Sequence, residues 1–376
     1  MKLKGNRYVI PVLILAAVVL AAGLLAGCTQ GAVSIGWSGG TVSSGYLYIG
    51  SNAGRLDSIN LSDDSILRAE VIKAQATTSL LSCGCGGGTP AVPIYGTPLV
   101  IDNTVFIAGY NGRIYSYRAD NLAQRWIYPA NGYLKSFVGG LVNFNGILYI
   151  GCSDGNVYAV NAETGNLVMK YKTGGKIWAT GAIDPLTKTL FIGSYDKKLY
   201  ALDLDTLSLK WTYSTKGSII CTPLVDNGTV YFGSFDRAFY ALDAATGNLK
   251  WQFRGNNWFW AQPLINNGVL YAPCLDHKVY ILDPMTGKET HEAYNLLSGI
   301  ASPAVVVENL VIFVSQKGVL YKLDTATMKI ETVIDLKIKV DGPILAHDGI
   351  VYIHPQEPSL IRINPVTGSE LPTIEL

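Results

Sequence analysis

Histidine and charge are scarce in this sequence, and long helical periods are missing from it. The 376 residues include only four histidines, His277, His291, His347 and His354. No two stand at i, i+2 or i+4, the spacings that bring imidazoles onto one metal ion, so metal ligation is not expected and turn or surface positions are the default. Charged residues make up 15% against 49% apolar, which excludes a disordered chain. No stretch after the N-terminal apolar run carries a long amphipathic period of 3.6, which excludes a helical core. What is abundant is Gly (40) and Tyr (22), together with Val, Ile and Thr, a strand-and-turn composition.

The first residues read as a targeting segment. Lys2, Lys4 and Arg7 precede an apolar run over residues 8–25, which ends in Leu25-Ala26-Gly27-Cys28. Small residues before a cleavage site suit a peptidase pocket that excludes bulk. The run is nearly long enough to stay as a membrane helix, but the position of Cys28 and the Gly/Ser/Thr/Gln-containing spacer after it favour cleavage. This resembles the lipobox of bacterial lipoproteins, which implies a signal peptide over residues 1–27, lipidation of Cys28 and a tether over residues 28–34. Without residues 1–27 the chain keeps 26 Lys and Arg against 28 Asp and Glu, a balance that offers no footprint for nucleic acid. Membrane attachment then comes from acyl chains, at about 0.8 kcal/mol per buried methylene.

The rest of the chain repeats itself. A β-branched or Leu residue followed by an aromatic or Ile recurs at Leu47-Tyr48, Val105-Phe106, Leu148-Tyr149, Leu190-Phe191, Val230-Tyr231, Leu270-Tyr271, Val311-Ile312 and Val351-Tyr352. The intervals are 58, 43, 42, 40, 40, 41 and 40 residues, so only the first is stretched, by an insertion at about 74–92. The copy over residues 222–251 reads as four strands joined by the tight turns Asn227-Gly228, Phe235-Asp236-Arg237 and Asp243-Ala244-Ala245-Thr246-Gly247. One such unit cannot bury both its faces, whereas units stacked in a ring can. The sequence therefore predicts an all-β, eight-bladed propeller of four-stranded antiparallel blades over residues 35–376.

The pattern Ala-Leu-Asp-x-x-Thr-Gly-x-x-x-Trp, complete from Ala241 to Trp251, resembles the pyrroloquinoline-quinone-type propeller repeat. Trp211 and Trp126 keep the tryptophan, while Met169, His291 and Pro372 stand in its place elsewhere. The resemblance covers essentially residues 35–376 and implies outer-strand indoles packed flat between blades. One branch of that family holds quinoprotein dehydrogenases, with adjacent cysteines and a calcium cluster at the cofactor. Here the nearest approach to a cysteine pair is Cys83-Gly84-Cys85, and no calcium-loop spacing is found. The other branch is the propeller lipoprotein of the outer-membrane β-barrel assembly machine, BamB, a scaffold without a cofactor. Lipobox, size and short spacer are similar to that branch.

Few residues suggest chemistry. Gly36-Trp37-Ser38-Gly39-Gly40 fits G-x-S-x-G, but it falls in a first strand with no helix after it. Cys83 and Cys85 lie in the insertion and form a possible, strained disulfide, with metal binding or free thiols as the alternatives. Cys152, Cys221 and Cys274 read as small buried residues. Trp37, Trp178, Trp258 and Trp260 lie in or just before first strands, which line the channel of a propeller, and with Phe259 they are the candidate ligand- or partner-binding residues. The reading that follows is a scaffold or protein-binding propeller, lipid-anchored to a membrane outside the cytoplasm, with no catalytic residues, no metal and no cofactor. That membrane is the outer one in a diderm cell and the plasma membrane in a monoderm. An extracytoplasmic receptor for a small molecule, glycan or peptide is the alternative, and a quinoprotein dehydrogenase the second.

Overall fold

The computed structural model describes residues 38–51, 54–69, 72–73 and 91–376. Among them, thirty-two strands form eight four-stranded antiparallel sheets, each of four strands consecutive in sequence. The blades span residues 40–68, 99–128, 142–172, 182–214, 224–254, 264–295, 305–335 and 345–375. A buried hydrophobic cluster joins each blade to the next, and one joins blade 8 to blade 1, so the blades close into a ring. Residues 1–37, with Cys28 and Trp37, lie outside the described residues, as do Cys83, Cys85 and most of the insertion.

Blade 5 shows how the repeat encodes a blade. Its strands are Leu224–Asp226, Thr229–Gly233, Ala238–Asp243 and Leu249–Arg254. Leu224, Tyr231, Ala241 and Trp251 lie side by side across the four strands. Asn227 and Gly228 both take positive φ (44° and 68°), the primed turn that matches the strand twist. The two middle strands are buried on both faces because a blade packs against each, whereas the outer strand is mostly exposed.

Tryptophan and glycine of the repeat are coupled across blades rather than within one. The indole Nε1 atoms of Trp126, Trp211 and Trp251 donate to the carbonyls of Ala162, Ala244 and Pro284 in the next blade, at 3.0, 3.1 and 2.9 Å. Each ring then lies on the glycine of that blade's last turn. A Cβ on Gly165, Gly247 or Gly287 would stand 2.6, 2.7 or 2.4 Å from the indole. Where the preceding blade has no tryptophan, Leu122, Leu207 and Met328 occupy the same turn position at positive φ (50°, 55° and 54°), although blade 8 keeps Gly368 there against Val333. At Gly165, Gly247 and Gly287 glycine is thus required by the neighbouring indole as much as by the backbone.

A second staple joins three of the connecting segments to the blades they enter, blades 4, 5 and 6. Asp236 Oδ2 accepts from Tyr240 Oη (2.7 Å) and from the Lys216 amide (2.9 Å), and its other oxygen accepts from the Ala238 amide (3.0 Å). Asp196 with Tyr200 and Asp276 with Tyr280 repeat the arrangement.

Among the described residues no strand is shared between the first and last blades. The seam is closed by Leu47, Ile49, Ile59, Tyr352, Leu360 and Ile374, packed as one cluster. A bidentate ion pair, Arg362 to Asp64 at 2.7 and 2.8 Å, and a 3.1 Å contact from His354 Nδ1 to the Ser38 carbonyl complete it. His354 thus lies in a turn, as expected, but not at the surface. It is 3% exposed, because the closing contact needs its side chain inside, and burial holds its pKa below the ordinary value.

Candidate binding site at the channel mouth

Blades 2 to 8 are each entered by a short extended segment whose alternate residues face the central channel, since side chains on an extended chain alternate sides. Tyr95, Val138, Trp178, Ile220, Trp260, Ala301 and Asp341 occupy one position of that segment, and Thr97, Gly140, Thr180, Thr222, Gln262, Pro303 and Pro343 the position two residues on. Both sets line one cavity of about 250 Å³ at the end of the ring where these segments enter. Tyr110 adds a ring from a turn of blade 2.

The aromatic groups at this end are held in pairs. Phe235 stacks on Trp258 with centroids 4.2 Å apart and planes at 10°, and Trp260 tilts against Phe235 at 5.7 Å. Trp178 meets Tyr195 edge to face at 4.8 Å, and its Nε1 donates to Ser153 Oγ at 3.0 Å. Tyr95 and Tyr110 pair at 5.3 Å. Trp258 stays 40% exposed, so one face of the Trp258–Phe235 stack is open to a partner.

Polarity lies at one edge. Asp341 Oδ1 accepts from Gln316 Nε2 at 3.1 Å, while Oδ2 accepts from Gln356 Nε2 at 3.0 Å and meets Lys339 Nζ at 2.8 Å. With three donors on it, the carboxylate is already matched. Among the described residues no Lys, Arg or His lines the cavity, and no three His, Cys, Asp or Glu side chains converge as a metal site. That donor set does not fit a calcium-held anionic quinone. It suits neutral polar groups and apolar side chains.

Of the residues singled out in the sequence, Trp178 and Trp260 line the cavity and Trp258 stands exposed beside it. Phe259 does not belong with them. It is 1% exposed and packs against Phe239 (5.4 Å) and Tyr280 (5.8 Å) between blades 5 and 6. The alternation that turns Trp258 and Trp260 outward turns it inward. Ser38 of the G-x-S-x-G string is fully buried, with its hydroxyl donating to the Gly39 and Gly96 carbonyls, so it is no nucleophile. Cys152, Cys221 and Cys274 are buried and unpaired, and burial pushes each thiol up to about 12. Sequence reasoning missed Tyr95, which shares its repeat position with Trp178 and Trp260, and Tyr195 and Phe235, which recur at one offset in their turns. Asp341 carried no signal, because its amide partners are 25 and 15 residues away.

No curated protein matches the sequence. Among solved structures, BamB from Moraxella catarrhalis superposes with a TM-score of 0.68 at 16% identity, over 84% of this chain and 93% of that one. The computationally designed Ika8 protein superposes with a TM-score of 0.70 at 15% identity, over 91% and 96%. At such identities the likeness is one of fold. The family model described as outer membrane protein assembly factor BamB matches residues 27–184 and 153–372, and on that extent the chain belongs to this family.

Proposed function

We propose that this chain is a lipid-anchored, extracytoplasmic scaffold that takes part in assembling membrane proteins by holding a segment of a protein partner at its channel mouth. In this reading residues 1–27 are the signal peptide, Cys28 carries the lipid and residues 28–34 form the tether. The observation that carries it is the open face of the Trp258–Phe235 stack beside a cavity walled by aromatic rings. Aromatic residues of low rotamer entropy, partly exposed around a pocket, are what anchor protein interfaces. The family supports a role in assembly, and the cavity's donor set speaks against the dehydrogenase alternative.

The test is a photo-crosslinking residue placed at Tyr195 in the full chain in its own cell. Crosslinking to a membrane protein or an assembly subunit, lost with Trp178→Ala and Trp258→Ala, is expected. Crosslinking that the double variant leaves unchanged overturns the proposal. The receptor reading has its own support in the small cavity, where Gln262, Thr97 and Thr180 offer amide and hydroxyl groups beside Trp178 and Trp260. A ligand-dependent thermal shift without a protein partner would favour it.

A further inference from the structure

The two ends of the ring carry opposite charge, although the chain is nearly neutral. In an antiparallel blade the second-to-third turns and the blade-to-blade connections share the mouth end, and the remaining turns share the other. Among the described residues, the mouth-end connections expose nine Lys or Arg and one acid, Glu357. The opposite turns expose eight acids and two cations, Lys188 and Lys288. Asp154, Asp196, Asp236 and Asp276 at the mouth end are turned inward as acceptors for Tyr158, Tyr200, Tyr240 and Tyr280.

Backbone conformation adds a second, independent observation. The last position of the second-to-third turn is left-handed and is glycine in four blades, at Gly54, Gly112, Gly155 and Gly318. In blades 4, 5 and 6 it is Lys197 (φ 71°), Arg237 (φ 68°) and His277 (φ 73°). A side chain there is strained where glycine is not, and such strain marks positions held for a use other than stability. Trp178 and Trp258 lie at the same end, and tryptophan favours the boundary between water and lipid.

The chain also enters the ring here. Ser38 and Gly39 lead into the inner strand Gly40–Ser43 from the mouth end, and Ser38 follows Cys28 by ten positions in sequence, a reach of at most about 35 Å. We infer that the mouth end of the propeller rests against an anionic lipid surface, with its lysines and arginines over the headgroups. The inference rests on the lipid-anchored reading and extends it. The scaffold is held mouth-down, and its partner is met at the membrane.

The test uses unacylated residues 29–376, which contain the whole closed ring, and vesicles of neutral phosphatidylcholine with or without 30% phosphatidylglycerol. Co-sedimentation with anionic but not neutral vesicles is expected, weakening as salt rises because surface charges are screened. Reversing Lys197, Lys216 and Arg237 to Glu lowers partitioning by about a hundredfold or more. Reversing Lys170, Lys288 and Lys329, which stand away from the mouth, changes it less than about threefold. Equal loss from both triplets, or a folded chain that ignores anionic vesicles, overturns the inference. Mass spectrometry of native Cys28 is read separately, so a missing lipid would remove the anchor without deciding how this face behaves.

Discussion

Placing a methyl group on Gly287 tests the blade-to-blade logic most directly. The Cβ of Gly287→Ala would stand 2.4 Å from Trp251 Cε3, and the residue already sits at φ +69°. The left-handed conformation costs about 1 kcal/mol for an alanine, and forcing an atom into a packed site costs about 1–3 kcal/mol more. A total of about 2–4 kcal/mol follows. Trp251→Ala alone costs about 3–5 kcal/mol, since the indole is 8% exposed. In that background the alanine at 287 has room, so it costs only about 1 kcal/mol for its backbone. The cycle therefore carries a coupling of about 1–3 kcal/mol. Gly368→Ala is the internal control. It has similar φ (+76°), but its nearest neighbour is the Val333 carbonyl at 3.6 Å, so it loses only about 1 kcal/mol. Thermal unfolding of the four chains of the cycle reads the difference, at about 2 °C per kcal/mol for a ring of this size. If Gly287→Ala costs the same with and without the tryptophan, the indole is not what excludes the side chain.

Three further outcomes follow from the seam and the last blade. Arg362→Ala leaves Asp64 without its bidentate partner and the Pro372 carbonyl without its donors, and should lower stability by about 2–3 kcal/mol in denaturant titrations. Deleting residues 371–376 removes nearly all of the outer strand Glu370–Glu375, with Ile374 from the seam cluster, and should lower the melting temperature; unchanged melting contradicts this register. The folded pKa of His354 is depressed, so the unfolded chain takes up a proton first, and its contribution is full above pH 6.5 and is lost as pH falls below it. Between pH 6.5 and 5 the melting temperature of His354→Gln should therefore fall less than that of the native chain.

Most of the fold was legible because the repeat states it eight times, and one clear copy dates the turns of the rest. The Trp-Gly pairing was visible as a motif, but its meaning was not, since the two residues act on each other only from adjacent copies. At the channel mouth, Trp178 and Trp260 could be read from their place before first strands. Phe259 could have been set apart by the same period of two that exposes its neighbours. Asp341 and the charge separation were illegible for another reason. They depend on which turns share an end, and on amides brought from distant segments.

The seam has a further consequence for how such a chain varies. Propellers that weave their first and last blades into one sheet fix the place where the sequence must begin. Among the described residues every module is a single stretch of sequence, and the seam is held by side chains such as Arg362 on Asp64 rather than by a strand ladder. The ring could accordingly be cut between any two modules and rejoined at the present ends, a circular permutation that leaves each sheet whole.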